Sequence, residues 1–289
     1  MEYIYLVCSM CCSAMLSIMS SLFGRVNTKQ QNTSSLYSVI VTCAAFVSWG
    51  IICLCDTEFS PYVIVCSIAY GLFYTSAMLG MFKAYQIGSV SLTAFVKQLS
   101  LIGVAFWGFI FWNNPFTFNI ALGLILVILA LYFCFKPGKA STEKTITLKW
   151  IIYALMLLIG NAGCSIIQKY QQLAFDGRYG NVFMFLATGM AFAVSLILYF
   201  NKNRCKLQEI SKKTILYPII GGISSALLNL LILLMISSSL SESIIFPGIA
   251  VGGLILTTMF SVIGYHEKLH PCRWLGLGVG AIALIFLNM

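Results

Sequence analysis

The chain has 289 residues, of which 60% are hydrophobic and 9% are charged, and its mean hydropathy is +0.94. A soluble domain carries about 25% charged residues, so this composition excludes a soluble globular protein. The formal net charge of +9 comes from basic residues that lie mostly in short loops between apolar runs. This placement indicates a role in membrane orientation and not in nucleic-acid binding.

Ten apolar runs follow one another along the chain, each about as long as the roughly 20 residues that cross a bilayer as a helix. The pattern predicts an all-α, polytopic protein of the cell membrane. The 11 cysteines lie mostly inside these apolar runs, which favours packing roles over a disulfide or metal framework. The first run lacks a basic leader, so we expect a retained helix and not a signal peptide. The predicted spans are residues 3–23, 35–55, 61–82, 88–112, 117–135, 149–172, 180–200, 214–236, 241–264 and 271–288.

A weak internal repeat divides the chain into a first five-helix half, residues 1–140, and a second five-helix half, residues 141–289. The boundary lies in the polar stretch 136–149. One constant offset relates both ends of the two halves, which favours a duplicated architecture. At an offset of 153 positions the aligned residues are Gly24-Arg25 with Gly177-Arg178, Leu122-Gly123 with Leu275-Gly276, and Asn114 with Glu267.

The positive charges predict the orientation of these spans. About 14 of the 17 Lys and Arg residues lie in the loops that follow odd-numbered spans, so the positive-inside rule places those loops in the cytoplasm and both termini outside. Since each half has an odd number of spans, the second half must insert upside down. The loop charges agree, because residues 56–58 include two acidic side chains whereas the equivalent residues 201–213 are basic. Two inverted five-helix repeats are a common framework of secondary transporters.

The string His266-Glu267-Lys268-Leu269-His270 matches HExxH, the zinc-protease signature in which two His ligands share a helical face and the Glu is the general base. Pro271 disfavours a helical conformation at His270. The chain has only 2 His, so a third ligand would have to be a carboxylate such as Asp176. These two observations disfavour a zinc site, so we expect no enzyme activity, no catalytic residue, no metal and no other cofactor. An intramembrane zinc metalloprotease is the alternative that the matching string supports.

Six residues near the C-terminal end follow one another in a distinctive order: Pro247, Gly264, Glu267, Lys268, Gly276 and Gly280. This order of residues resembles the motif of the EamA-type branch of the drug/metabolite transporter superfamily. The ten spans in two halves extend the resemblance over the whole chain. The sequence departs from the family pattern by the inserted Tyr265-His266, and by Ala94 and Asn114 at the first-half positions of Pro and Glu. The resemblance implies transport by alternating access through a central cavity between the halves. It also implies cytoplasmic termini, opposite to the charge bias.

Lys97 and Gln98 lie near the middle of the fourth span, where a charged side chain costs at least about 2.5–3.5 kcal/mol. No Asp or Glu lies deep inside any predicted span to pair with Lys97. We therefore expect both residues to face a cavity that binds an anionic or carboxylate-bearing metabolite. The alternative is a Lys that bonds helix carbonyls at a packed interface.

Four further residues are predicted to line the same cavity. Asn161 and Lys169 lie in the sixth span, Asn229 in the eighth and Tyr74 in the third. Each has a structural alternative: the Asn side chains as interhelical hydrogen-bond partners, Lys169 as a side chain that snorkels from the helix end, and Tyr74 as a packing residue. Pro247 in the ninth span is the predicted gating position, because Pro frees a backbone carbonyl and allows bending.

The sequence thus predicts a secondary transporter of a small metabolite, an amino acid or another organic anion. Its expected partners are that substrate and the lipid bilayer. A third alternative is a structural or assembly protein of the membrane. The residues favour no particular coupling ion, direction of transport or oligomeric state.

Overall fold

The computed structural model describes residues 2–26, 33–54, 58, 60–111, 117–135, 147–202, 212–236, 242–266 and 269–286. These residues form eleven α-helices and no β-strand. Seven of the helices, α1–α3 and α7–α10, are long and apolar enough to cross a membrane. The prediction of a helical chain with segments long and apolar enough to span a membrane is therefore confirmed for the described residues. The helices are α1 (Glu2–Val26), α2 (Thr33–Cys53), α3 (Val63–Ile87), α4 (Val90–Gln98), α5 (Ser100–Phe111), α6 (Phe118–Phe135), α7 (Leu148–Ala174), α8 (Gly180–Lys202), α9 (Lys212–Ile236), α10 (Glu242–Tyr265) and α11 (Pro271–Phe286).

The number of helices differs from the predicted ten. The fourth predicted span, residues 88–112, is divided into α4 and α5, which meet at Leu99. At this junction the Ser100 hydroxyl donates to the carbonyl oxygen of Lys97 at 2.8 Å. A side chain that bonds a nearby carbonyl competes with the helical ladder, and the hydropathy of the segment carries no sign of it. The predicted boundary at residue 140 lies outside the described residues.

The helices of the first part of the chain, α1–α6, pack mainly against those of the second part, α7–α11. The most extensive helix contacts all join one part to the other. α1 packs against α9 and α10, α2 against α8 and α9, α3 against α7 and α8, and α6 against α11. A site between these helices therefore receives side chains from both parts.

Glycine permits close approach at several of these crossings. A Cβ atom at Gly71 of α3 would lie 2.8 Å from the carbonyl oxygen of Ala187 on α8. A Cβ atom at Gly222 of α9 would collide in the same way with the carbonyl oxygen of Val41 on α2. Small residues of this kind let helix backbones touch inside a membrane, where close packing stabilises helix association.

Three buried aromatic side chains pack together near one end of the bundle. Phe23 of α1, Tyr37 of α2 and Phe82 of α3 have no exposed surface. Tyr37 stacks on Phe82 with ring centroids 4.8 Å apart, and its hydroxyl forms a hydrogen bond with the hydroxyl of Ser20. We call Phe23, Tyr37 and Phe82 the aromatic seal. It lies near the C-terminal ends of α1 and α3 and near the start of α2.

Candidate functional site

A cavity of about 130 Å³ lies among the helices, closer to the middle of α1 and α3 than the aromatic seal is. Its wall receives side chains from α1, α3, α4, α5, α7, α9 and α10, so both parts of the chain surround it. The lining brings together five of the six residues predicted to bind a substrate: Lys97, Gln98, Asn161, Asn229 and Tyr74.

Lys97 enters the cavity from the last turn of α4 and is only 7% exposed. Its Nζ atom donates to Ser17 Oγ at 3.4 Å and to Ser13 Oγ at 3.5 Å, both on α1. These hydroxyl partners differ from the helix carbonyls of the structural alternative. None of the described residues that line the cavity is Asp or Glu. An anion that entered the cavity would therefore supply the countercharge that its wall does not.

The two hydroxyls belong to a row of buried Ser on one face of α1: Ser9, Ser13, Ser17 and Ser20. Ser9 and Ser20 donate to carbonyl oxygens four residues earlier, at 2.7 and 2.8 Å. Ser17 also donates to a carbonyl, that of Ser13 at 3.1 Å, and accepts from Lys97. Sequence reasoning missed this role, because a Ser in an apolar helix usually bonds its own backbone and gives no signal of a second partner.

Asn161 connects α7 to the junction between α4 and α5. Its Nδ2 atom donates to Ser100 Oγ at 2.7 Å and to the carbonyl oxygen of Lys97 at 3.4 Å. The side chain thus lines the cavity and also forms an interhelical hydrogen bond, so both expected roles of Asn161 occur together. Next to this junction Gln98 is 9% exposed, and its Nε2 atom lies beside Gly253 of α10.

Tyr74 and Asn229 form the part of the wall that α3 and α9 contribute. The hydroxyls of Tyr74 and Ser225 are hydrogen-bonded at 2.8 Å, and Asn229 Nδ2 donates to the carbonyl oxygen of Ser225 at 2.8 Å. Tyr70 stacks beside Tyr74 with ring centroids 5.9 Å apart. This part of the cavity offers aromatic surface and neutral polar groups, which suit an uncharged portion of a ligand.

A larger vestibule of about 910 Å³ adjoins the cavity. Ser165, Gln168 and Phe246 line both spaces, so the vestibule leads into the cavity. Lys169, the sixth predicted residue, lies in the wall of the vestibule and not in that of the cavity. The vestibule also receives charged side chains of both signs, namely Glu58, Asp176 and Arg178.

The turn between α7 and α8 forms part of the vestibule wall and has an uncommon backbone. Asp176, Gly177 and Tyr179 have φ angles of 50°, 76° and 62°, in the left-handed region that residues other than Gly rarely occupy. Gln171 holds the turn in place, since its Nε2 atom donates to the carbonyl oxygen of Arg178 at 2.8 Å. Backbone strain of this kind persists where the surrounding structure fixes it, often beside a functional site.

Two predictions fall on the C-terminal helices. The string 266–270 does not lie on one helix, because α10 ends at Tyr265 and α11 begins at Pro271. Residues 267 and 268 are outside the described residues, and the described part of the chain contains no cluster of three or more His, Cys, Asp or Glu that could hold a metal ion. Pro247 lies within α10, and its side chain is outside the described residues.

Comparison with known proteins gives relatives in sequence and in fold. No protein-family model matches the chain. An uncharacterized protein of Haemophilus influenzae is 23% identical over 224 residues, which cover 76% of this chain and 73% of the relative. A protein of known crystal structure superposes with a TM-score of 0.63 at 10% sequence identity, over 96% of this chain and 95% of the other. At that identity the likeness concerns the fold alone.

Proposed function

We propose that this chain is a secondary transporter that moves a small organic anion across the cell membrane by alternating access. The observation that carries the proposal is the buried Lys97, which faces a central cavity and has only hydroxyl partners there. A lone charge inside a bilayer is costly unless another group pairs with it. A substrate carboxylate would form that pair, and Gln98 is placed to donate a further hydrogen bond.

The volume of the cavity limits the size of the substrate. A cavity of about 130 Å³ is close to the roughly 150 Å³ that admits benzene. A metabolite with about six non-hydrogen atoms therefore fits. Pyruvate and lactate are anions of this size, and glycine and alanine are zwitterionic amino acids of this size that also carry a carboxylate. Its carboxylate would lie next to Lys97, and the rest of the molecule would contact Tyr70 and Tyr74.

We also propose that the chain has ten membrane spans in two inverted five-helix halves, with α4 and α5 together forming one span. The helix contacts support this arrangement. If α1, α2 and α3 are exchanged with α7, α8 and α9, the contact of α3 with α7 becomes that of α9 with α1, and the contact of α3 with α8 becomes that of α9 with α2. Gly71 makes the crossing of α3 with α8, and Gly222 makes the equivalent crossing of α9 with α2. These two glycines are 151 positions apart in the sequence. Tyr74 and Ser225, which are hydrogen-bonded to each other, are also 151 positions apart, so one offset relates both pairs.

This arrangement agrees with the EamA-type resemblance and gives a direction to the observed state. The aromatic seal lies near the end of α1, and the chain that continues from this end carries Arg25 and Lys29 in its sequence. The vestibule wall contains Glu58 and Asp176 together with Lys169 and Arg178, so these side chains give it no net positive charge. The positive-inside rule then places the seal on the cytoplasmic side and the vestibule outside. The described conformation is thus open to the outside, and a transport cycle requires the seal to open after the vestibule has closed.

Uptake into liposomes tests the proposal. Purified protein is reconstituted, and radiolabelled pyruvate, lactate, glycine and alanine are supplied in separate assays, with protein-free liposomes as the baseline. We expect uptake of at least one of these compounds, and we expect Lys97→Ala to reduce it to the baseline. The thermal unfolding temperature of Lys97→Ala should not fall, because the substitution removes a buried amine whose desolvation opposes folding.

Lys83→Ala is the matched control for this experiment. Lys83 donates to the Tyr153 hydroxyl at 3.3 Å and does not line the cavity, so its removal should leave uptake unchanged. Baseline uptake of all four compounds by the wild-type protein would contradict the proposal. Full uptake by a folded Lys97→Ala protein would contradict the role of Lys97.

A further inference from the structure

We infer that Lys97 is also the proton-carrying residue of the transport cycle, so that one proton crosses the membrane with each substrate carboxylate. The inference rests on the proposed function, since it concerns the same cavity. It identifies the coupling ion, which neither the sequence nor the comparisons specify.

The first reason is that Lys97 is isolated from other full charges. It is 7% exposed, and its described hydrogen-bond partners are the hydroxyls of Ser13 and Ser17 on α1. The remaining titratable groups in the cavity wall are the phenols of Tyr70 and Tyr74 on α3 and the thiol of Cys164 on α7.

The described residues that the other helices contribute to the cavity wall include no charged side chain. The described cavity residues of α5, α9 and α10 are uncharged. α11 contacts α4 through Gly280, which lies against Phe95 on another face of that helix. A charged amine in this setting is costly when the cavity is empty, and the cost is removed either by loss of a proton or by arrival of an anion.

The second reason is the chemistry of its partners. A hydroxyl can accept a hydrogen bond from an ammonium and can also donate one to a neutral amine. Ser17 uses its hydrogen on the Ser13 carbonyl and accepts from Lys97. The hydroxyl of Ser13 has Lys97 as its described partner, so it can reverse its direction when the amine is neutral. A carboxylate partner would instead hold the proton on Lys97 through the whole cycle.

These two features give a balanced cycle. In the outward-open state the neutral amine takes up one proton from water at its Nζ atom, and the substrate carboxylate binds to the resulting ammonium. When the substrate is a monoanion such as pyruvate or lactate, the ammonium and the carboxylate then cross together as a neutral pair. On the other side the carboxylate leaves, the ammonium returns its proton to water, and the empty carrier reorients with a neutral amine.

The decisive variant is Lys97→Arg, because a guanidinium keeps its proton at any accessible pH. The loaded Arg variant still forms a neutral pair, so it should exchange labelled for unlabelled substrate across the liposome membrane. The empty Arg variant must reorient with an uncompensated charge, which should slow net uptake about 100-fold. Lys83→Arg, outside the cavity, should leave both exchange and net uptake at the wild-type level.

The wild-type protein provides a second measurement that does not depend on how well the variant folds. Liposomes that contain a pH-sensitive dye receive pyruvate, lactate, glycine or alanine in separate assays, and substrate and proton uptake are recorded together. For pyruvate and lactate, the monoanions that form a neutral pair with the ammonium, we expect one proton per molecule taken up and faster uptake when the outside is more acidic. Uptake confined to glycine or alanine would contradict the neutral-pair cycle.

The outcomes separate this inference from the proposed function. Uptake of none of the four compounds overturns both. Uptake that moves no protons and ignores the pH gradient overturns proton coupling and leaves the transporter proposal in place. Net uptake by Lys97→Arg at the wild-type rate also overturns proton coupling, because a fixed charge would then cross unpaired.

Discussion

Asn161 and Ser100 form a hydrogen bond of 2.7 Å between α7 and the start of α5. Since Ser100 in turn donates to the carbonyl oxygen of Lys97, this bond fixes the backbone from which the Lys97 side chain enters the cavity. The helical segment is interrupted between α4 and α5, next to Lys97. Discontinuous helices frequently form the binding sites of transporters.

We expect Asn161→Ala to weaken both the fold and substrate binding. Loss of the bond leaves Ser100 with one partner fewer and should lower the free energy of unfolding by about 1 kcal/mol. If the less well positioned Lys97 weakens substrate binding by a similar free energy, the half-saturating substrate concentration should rise about 5-fold. Thermal unfolding and uptake measurements on the same preparation test the two effects.

Ser48→Ala is the control for Asn161→Ala. Ser48 donates only to the carbonyl of Ala44 within its own helix, at 2.8 Å, and does not line the cavity. Its removal should change neither measurement by more than the experimental error. Asn161→Ala protein with the stability and the affinity of the Ser48→Ala variant would show that the bond does not position Lys97.

The sequence was informative where a residue contrasted with its surroundings. Lys97 and Asn161 are polar residues in apolar runs, and both reach the predicted cavity. Lys169 is also a polar residue in an apolar run, but it lies nearer the end of its helix and reaches the vestibule instead. Hydropathy does not resolve this difference in depth of one or two helical turns. Ser13 and Ser225 were missed because buried Ser is common in these helices, and only the three-dimensional packing shows which hydroxyl meets a partner on another helix.

The orientation of the chain can be tested at its C-terminus. If the charge bias determines topology, both termini lie outside and the basic residues 201–213 lie in the cytoplasm. A C-terminal alkaline phosphatase, which is active only outside the cytoplasm of a bacterial host, should then be active. A C-terminal green fluorescent protein should be dark in the same host. The opposite pair of signals would support the topology that the EamA-type resemblance implies.

The two His of the HExxH string provide a test of the zinc-protease alternative. Because His266 and His270 lie between helices and not on one of them, we expect His266→Ala and His270→Ala to retain uptake within about 3-fold of wild type. Elemental analysis of the purified protein should find far less than one zinc per chain. Stoichiometric zinc that is lost in either variant would favour a metal site at this turn.

The close crossings of α3 with α8 and of α9 with α2 allow the packing of the two halves to be tested in parallel. Gly71→Ala and Gly222→Ala each place a Cβ atom against the backbone of the facing helix, and the helices must separate to admit it. Each substitution should therefore lower the free energy of unfolding by about 1–3 kcal/mol.

Gly278→Ala is the matched control, because a Cβ atom there has no neighbour within 4 Å, and its effect should stay within about 0.5 kcal/mol. If the halves are equivalent, the Gly71 and Gly222 variants should lose stability by similar amounts, measured by thermal unfolding in the same detergent. A Gly71→Ala protein as stable as Gly278→Ala would contradict the close crossing, and a loss confined to one of the two sites would contradict the equivalence of the halves.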